Sequence, residues 1–205
     1  MITIGLTGGI ATGKSLVSQL LEEYGAFVIN ADLLAHKLYL PETAGFNELV
    51  VHFGDTILNI DGTIDRNKLA SIVFSDKSEM DNLNSIMHPL IYEDIKRLIS
   101  DLSEKSEKNY LIVIVEAAIL IEAGWQDLFD QIWVVSSNAE NVISRLMTRN
   151  GLTREESLKR INSQMSLEDR LKYADVIVEN NGDINSLSSK IKELWEDKLS
   201  TNIRR

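Results

Sequence analysis

Eight residues constrain this chain more than any others: Gly8-Gly9-Ile10-Ala11-Thr12-Gly13-Lys14-Ser15 satisfy G-x-x-x-x-G-K-[ST] directly after the apolar run Ile2-Thr3-Ile4-Gly5-Leu6. That spacing requires a strand that runs through a glycine-rich turn into a helix. Glycines let backbone N–H groups crowd around phosphate oxygens, Lys14 brings a cation to the β- and γ-phosphates, and the Ser15 hydroxyl suits Mg²⁺. The helix starting near Lys14 adds the positive end of its dipole, and Val17, Leu20 and Leu21 give it an apolar face. Gly8, Gly9, Ala11, Thr12, Gly13, Lys14, Ser15 and the following Leu16 are therefore the candidate contacts to a nucleotide. A plain glycine turn with a surface lysine is the competing reading, and the upstream strand opposes it.

Past the loop, short β-rich apolar runs alternate with helical patterns: Phe27 to Asn30, Leu111 to Glu116, Ile132 to Val135 and Val176 to Val178. Together with the first run they predict an α/β chain with a buried parallel sheet. Helix starts are read at Ser137 with Glu140 and at Thr153 with Glu156, both at capping-box spacing, and at Pro89 just after His88. Ile184, Leu187, Ile191 and Leu194 form the apolar stripe of a closing helix. The interval from Leu33 to Lys108 reads mainly as helix, broken by turn signals at Pro41, Gly54 and Asp61-Gly62. It is too long for a simple crossover between the second and third strands and is read as an insertion holding a second substrate. With no repeat, low-complexity tract or linker, 1–205 reads as a single domain. Its core spans about 1–35, 109–144 and 173–205, its insertion about 36–108, and a further segment about 145–172.

Charge narrows the partners. Lys and Arg number 21 against 31 Asp and Glu, a net charge of −10, which opposes nucleic acid or an anionic membrane as the main partner. The absence of cysteine excludes a disulfide framework and thiolate metal sites. No basic stretch with an apolar leader opens the chain and no apolar run approaches membrane-spanning length, so a cytoplasmic location without an obligate protein partner is expected. Against this acidic background, Arg145 to Lys172 holds seven basic residues and four acidic ones. A single arginine there reads equally as part of a solvated face. Arg145 and Arg149, however, stand at i, i+4 on one face, and guanidinium forks suit bidentate phosphate contact. Gly151 ends that helix and makes a hinge to the Thr153 helix. A basic helical hairpin folding over a triphosphate would exclude water and bring positive charge to the transferring group.

Several further strings, in order, make the chain resemble the dephospho-coenzyme A kinase family, including the kinase half of coenzyme A synthases. They are the phosphate loop with Ile4 to Ile10, Ile29-Asn30-Ala31-Asp32, Asp65-Arg66 with Leu69 and Val73-Phe74, Ile86-Met87-His88-Pro89, Glu116 to Trp125, Arg149 to Met165, and Ala174 to Gly182. The resemblance implies a nucleotide-kinase-like parallel five-stranded core flanked by helices, a helical substrate-binding region and a lid. It implies ATP-dependent phosphorylation of the ribose 3′-hydroxyl of dephospho-CoA, with ATP as co-substrate and Mg²⁺. It also places Arg66, His88, Glu116 and Glu122 with the acceptor, and Asn180 and Gly182, in the turn after the last strand, at the adenine edge. Two departures stand out. Ala11-Thr12 replaces the common Gly-Ser, so the Ala11 backbone is expected to avoid the left-handed region. Asn30-Ala31-Asp32 replaces Asp-Ala-Asp, leaving one carboxylate.

That carboxylate, Asp32, follows a parallel strand at its carboxyl end, where such sheets bind ligands, and can accept the proton of an acceptor hydroxyl. Its competing role is an N-cap for Leu33 to Leu38. Glu116 ends the third strand and suits a metal-bound water or a substrate group, or simply a helix N-terminal charge. His88 suits a helix entry or a core hydrogen bond, and Trp125 and Trp133 suit the core. The mechanism expected is in-line phosphoryl transfer with Lys14, Arg149 and Asp32 as the catalytic groups. Rival readings are a kinase of another nucleotide or small alcohol, a pseudo-kinase, and a GTP-hydrolysing switch. The last lacks a guanine-reading Asn-Lys-x-Asp, the nearest string being Asn67-Lys68-Leu69-Ala70, and any Asp-x-x-Gly.

Overall fold

A computed structural model describes residues 1–104 and 112–199 of the chain. The opening apolar run forms β1 (Ile2–Gly8), followed by α1 (Lys14–Glu23), β2 (Phe27–Asn30), α2 (Ala31–Leu38), α3 (Ala44–Phe53), α4 (Arg66–Ser75) and α5 (Lys77–Glu104). Then come β3 (Ile112–Glu116), β4 (Gln131–Ser136), α6 (Ala139–Asn150), α7 (Arg154–Asn162), α8 (Leu167–Leu171), β5 (Val176–Glu179) and α9 (Ile184–Leu194). The expected strand start at Leu111 and insertion end at Lys108 lie outside the described residues.

The strands make one parallel sheet in the order β2-β3-β1-β4-β5. Leu6 of β1 sits beside Glu116 of β3 on one side and Trp133 of β4 on the other. The chain leaves β1 for β2, returns to β3, then crosses to β4, so the winding reverses between β1 and β3. At such a reversal the connections leave to opposite faces and a crevice opens at the carboxyl ends. One face of the sheet (Ile4, Leu6, Ile114, Trp133, Val135) packs on Val17 and Leu21 of α1 and on Leu187 and Ile191 of α9, each side chain contributing about 1.5–3 kcal/mol by leaving water. On the other face a Cβ at Gly5 would meet Leu120, Phe129 and Ile132 at 2.6, 2.7 and 3.0 Å, so only glycine lets that layer close. Trp125 and Trp133 are both buried core residues. The opposite end of the sheet is pinned by carboxylates: Thr3 N donates to Asp130 Oδ2 at 2.8 Å and Ile132 N to Asp175 Oδ2 at 2.7 Å. Asp175 thus serves the sheet, satisfying a strand amide that the ladder leaves over.

The chain divides into two compact units, residues 30–98 and the remainder. In the 30–98 unit Leu49, Ile57, Leu69, Met87, Ile91 and Ile95 are buried, and a Leu58–Ile64 bridge closes the Asp61-Gly62 turn. Pro89 does not start a helix. It lies inside α5, which forgoes one N–H bond there because Met87, Ile91 and Ile95, four apart, hold the same buried side through the proline. Ser137 does not cap α6 either. Asn138 does, its side chain accepting from Asn141 N, while Ser137 Oγ donates to Asn180 O at 2.7 Å. The Thr153–Glu156 capping box forms as expected. On α9 Leu187 and Ile191 are buried, but Ile184, the first residue of the helix, is 58% exposed. Among the described residues no helix is long and apolar enough to cross a membrane.

Candidate active site

The phosphate loop turns from the end of β1 into α1. A Cβ at Gly8 would strike Val135 O, and one at Gly13, whose φ is +99°, would strike the Asn180 side chain, so close approach fixes both as glycine. Ala11 does not avoid the left-handed region: its φ is +56°. The strain costs an alanine about 1–2 kcal/mol, and the loop imposes it because the flanking residues are tied down. The Thr12 hydroxyl donates to Gly9 O at 2.9 Å, and the carbonyls of both Ala11 and Thr12 accept from Arg145 Nη1 at 3.2 Å. Lys14 Nζ reaches back over the loop to Gly8 O at 2.8 Å and Gly9 O at 3.1 Å, which holds its charge directly above the loop.

Behind the loop, β3 delivers Glu116, only 6% exposed. Ser15 Oγ donates to its Oε1 at 2.7 Å and Ser18 Oγ to its Oε2 at 2.8 Å. The register that sets Glu116 beside Leu6 brings the two motifs together, and α1 places Ser15 and Ser18 one turn apart. Ser18 was not singled out from the sequence, although its i+3 spacing from Ser15 was the available signal. A carboxylate and a hydroxyl side by side are hard oxygen donors of the kind Mg²⁺ takes, the cation usually drawing its other ligands from water and substrate phosphates. No cluster of three His, Cys, Asp or Glu able to hold a metal occurs among the described residues.

Helix α6 supplies the arginines. Arg145 reaches the two loop carbonyls, and its Nη2 donates to Asn180 O at 3.0 Å, so one guanidinium staples the loop to the turn after β5. Asn180 is buried, with its side-chain amide on Thr12 O at 2.8 Å, and Asn181 Oδ1 accepts from Asn138 N at 2.7 Å. Beside this staple Ala11, Gly13, Leu16, Arg145, Arg149, Asn180 and Gly182 line a cleft of about 490 Å³, within the general range of small-ligand pockets. Arg149 is exposed and donates from Nε to Asn150 Oδ1 at 3.2 Å. Gly9 and Thr12 line a neighbouring cavity of about 170 Å³.

Arg170, one of seven basic residues in its stretch as read from sequence, proves the most buried, at 1% exposure. Its Nη1 donates to Thr7 Oγ1 at 3.1 Å and Ala118 O at 3.2 Å, and its Nη2 to Glu122 Oε1 at 2.7 Å. The Glu122 carboxylate therefore faces Arg170. Nothing in the local sequence separates Arg170 from its solvated neighbours, since its burial comes from α8 docking.

In the 30–98 unit, Asn30 caps α2 by accepting from Leu33 N at 3.0 Å. Asp32 is therefore not the cap and lies exposed in the first turn, where a carboxylate also suits the helix dipole. Arg66 Nη2 lies 3.0 Å from His36 Nε2 and its guanidinium 5.7 Å over the Tyr39 ring. Arginine has no acceptor, so His36 accepts. Burial raises the Tyr39 pKa and Arg66 partly offsets it. His88 lies inside α5, half-buried, its pKa pushed down by that burial.

A family model described as dephospho-CoA kinase matches residues 2–186. The chain belongs to the dephospho-CoA kinase family. A relative of that name from Geobacter sulfurreducens is 43% identical over 195 residues, covering 95% of this chain and 98% of the relative. Among solved structures, a protein of Thermus thermophilus superposes with a TM-score of 0.76 at 32% identity, covering 96% of this chain and 97% of that one. The family's enzyme from Campylobacter jejuni superposes at 0.73 with 26% identity, over 98% of both chains.

Proposed function

We propose that the chain transfers the γ-phosphoryl group of ATP to the ribose 3′-hydroxyl of dephospho-CoA, giving coenzyme A. The observation that carries this reading is the family match across residues 2–186, which takes in both the phosphate loop and the whole 30–98 unit, where acceptor selectivity resides. The loop amides receive the phosphates, Lys14 and Arg149 neutralise the transferring oxygens, and the cleft beside Arg145 and Gly182 receives the base. Ser15 and Glu116 would hold Mg²⁺, which supplies charge neutralisation on the phosphates. Asp32 orients the acceptor hydroxyl and takes its proton, and Arg66 and His88 hold the acceptor.

The test is incubation with Mg²⁺-ATP and dephospho-CoA, with the product identified by mass and by phosphate position. ATP consumption should be much faster with dephospho-CoA than without it, because closure around both substrates completes the site. AMP, CMP or shikimate serving better than dephospho-CoA, or GTP hydrolysis independent of an acceptor, would overturn the reading.

A further inference from the structure

The phosphate loop has an acceptor on it that belongs to the basic hairpin. Gln164, two residues past α7, accepts from the Ile10 backbone N–H at 2.7 Å through its side-chain Oε1. Ile10 lies mid-motif, between Gly8 and Gly13, in the run whose amides serve phosphoryl oxygens. The same Gln164 oxygen lies 3.6 Å from where a Cβ on Gly9 would stand, so it lies close against the loop. The root of the hairpin is fixed beyond Gln164, where Arg170 on α8 is buried on Thr7, Ala118 and Glu122. On the other side, α7 is held at its first residue by Arg154, which donates to Glu140 at 2.8 and 2.6 Å. That pair is solvent-exposed and worth little. At α7's trailing end, the hydrogen bond to the loop is made by a neutral amide oxygen.

We infer that Gln164 is a positioning residue that couples α7 to the loop, holding the Ile10 amide until a phosphoryl oxygen of the nucleotide takes it. Two acceptors compete for one donor. A hydrogen bond to a charged oxygen is about twice as strong as one to a neutral carboxamide, so the phosphate wins and Gln164 lets go. Release is feasible on both sides of the residue. Gln164 is half-buried, so its amide can turn to water, and it borders the cavity of about 170 Å³ shared with Ile10, Ile161 and Met165, which leaves room to swing. The end of α7 is then untied from the loop while Arg170 keeps its root in place. Nucleotide binding would thus reset the hairpin through one bond exchange.

The inference rests on the loop's being a nucleotide phosphate site. Wild type, Gln164→Leu and Gln164→Glu are titrated calorimetrically with the β,γ-imido analogue of ATP, and the Ile10 amide is followed by NMR. Losing a neutral competitor should make Gln164→Leu bind about three- to tenfold more tightly. Gln164→Glu, a charged competitor beside the phosphates, should bind at least about tenfold more weakly. The Ile10 amide resonance should differ between wild type and Gln164→Leu alone and coincide once both carry the analogue. Weaker or equal binding by Gln164→Leu, or resonances that stay apart with analogue bound, overturns the exchange and makes Gln164 a plain structural tether. Absence of binding by the wild type would instead overturn the phosphate-site reading itself.

Discussion

At the scale of single residues, two departures from the family pattern have physical explanations, one local and one long-range. Asn30 stands where the family commonly has aspartate, and its side chain caps α2, a task that asparagine and aspartate perform about equally. The cap therefore does not fall on Asp32, which frees that carboxylate for chemistry. Asp32→Asn should lower kcat about 10²- to 10⁴-fold, the usual loss for a positioned base, with an unchanged melting temperature. Near-normal turnover would refute the base assignment and make Glu116, the other carboxylate at the carboxyl end of a strand, the residue to test. Ala11 is the opposite case, an expectation the fold overrode. Its φ of +56° is imposed by Arg145 on its own carbonyl and by the ties on Thr12, contacts invisible in a local string. Ala11→Gly relieves the strain but adds backbone freedom to the unfolded chain, so the stability change should stay within about 1 kcal/mol, as chemical denaturation can check. Motif residues were legible because the G-x-x-x-x-G-K-[ST] spacing encodes their geometry. Arg170 and Gln164 were not, because their partners lie far away in sequence.

At the scale of elements, α6 carries two arginines with separable tasks. Arg145 holds the loop to the turn after β5 through three hydrogen bonds, whereas Arg149 is exposed. Arg145→Ala should raise the KM for ATP and cost about 1.5–3 kcal/mol of stability, the usual worth of hydrogen bonds to a charged group. Arg149→Ala should lower kcat more than it weakens ATP binding, with the melting temperature unchanged, if its charge acts on the leaving phosphoryl group. Steady-state kinetics beside thermal melts separates the two, and a matching pattern in both variants would refute the division. The helix ends show how far local rules reach. Thr153 and Glu156 satisfy each other within four residues, so their box was readable. Ser137 carries the same signature yet is drawn off by Asn180 across the sheet edge, leaving the cap to its neighbour. Pro89 is overridden in the same way, because apolar burial on one side of α5 outweighs one missing hydrogen bond.

At the scale of the whole molecule, pH stability should show two phases. Burial lowers the His88 pKa below its ordinary 6.5, so the unfolded chain binds more protons in the window beneath that value and stability falls as pH drops through it. The carboxylates held low by hydrogen bonds and cations, Asp61, Asp76, Glu140, Glu156, Asp169 and Asp183, have ordinary values of 3.8 or 4.5. Their stabilisation is present above those values and is lost only at lower pH. Melting temperature against pH should therefore decline first from about pH 6.5 and again below about pH 4.5, and His88→Gln should remove the first decline. A first phase that persists in His88→Gln would show that another group titrates there. The sequence by itself determined the alternation of strands and helices, the phosphate loop and the helical character of residues 30–98, since these follow from period, glycine spacing and turn residues within a few positions. Only the tertiary structure decided which polar groups meet. Parallel strands bring together residues about a hundred positions apart, as when Glu116 meets Ser15, and a side chain's partner is then set by register and docking rather than by its neighbours in the chain.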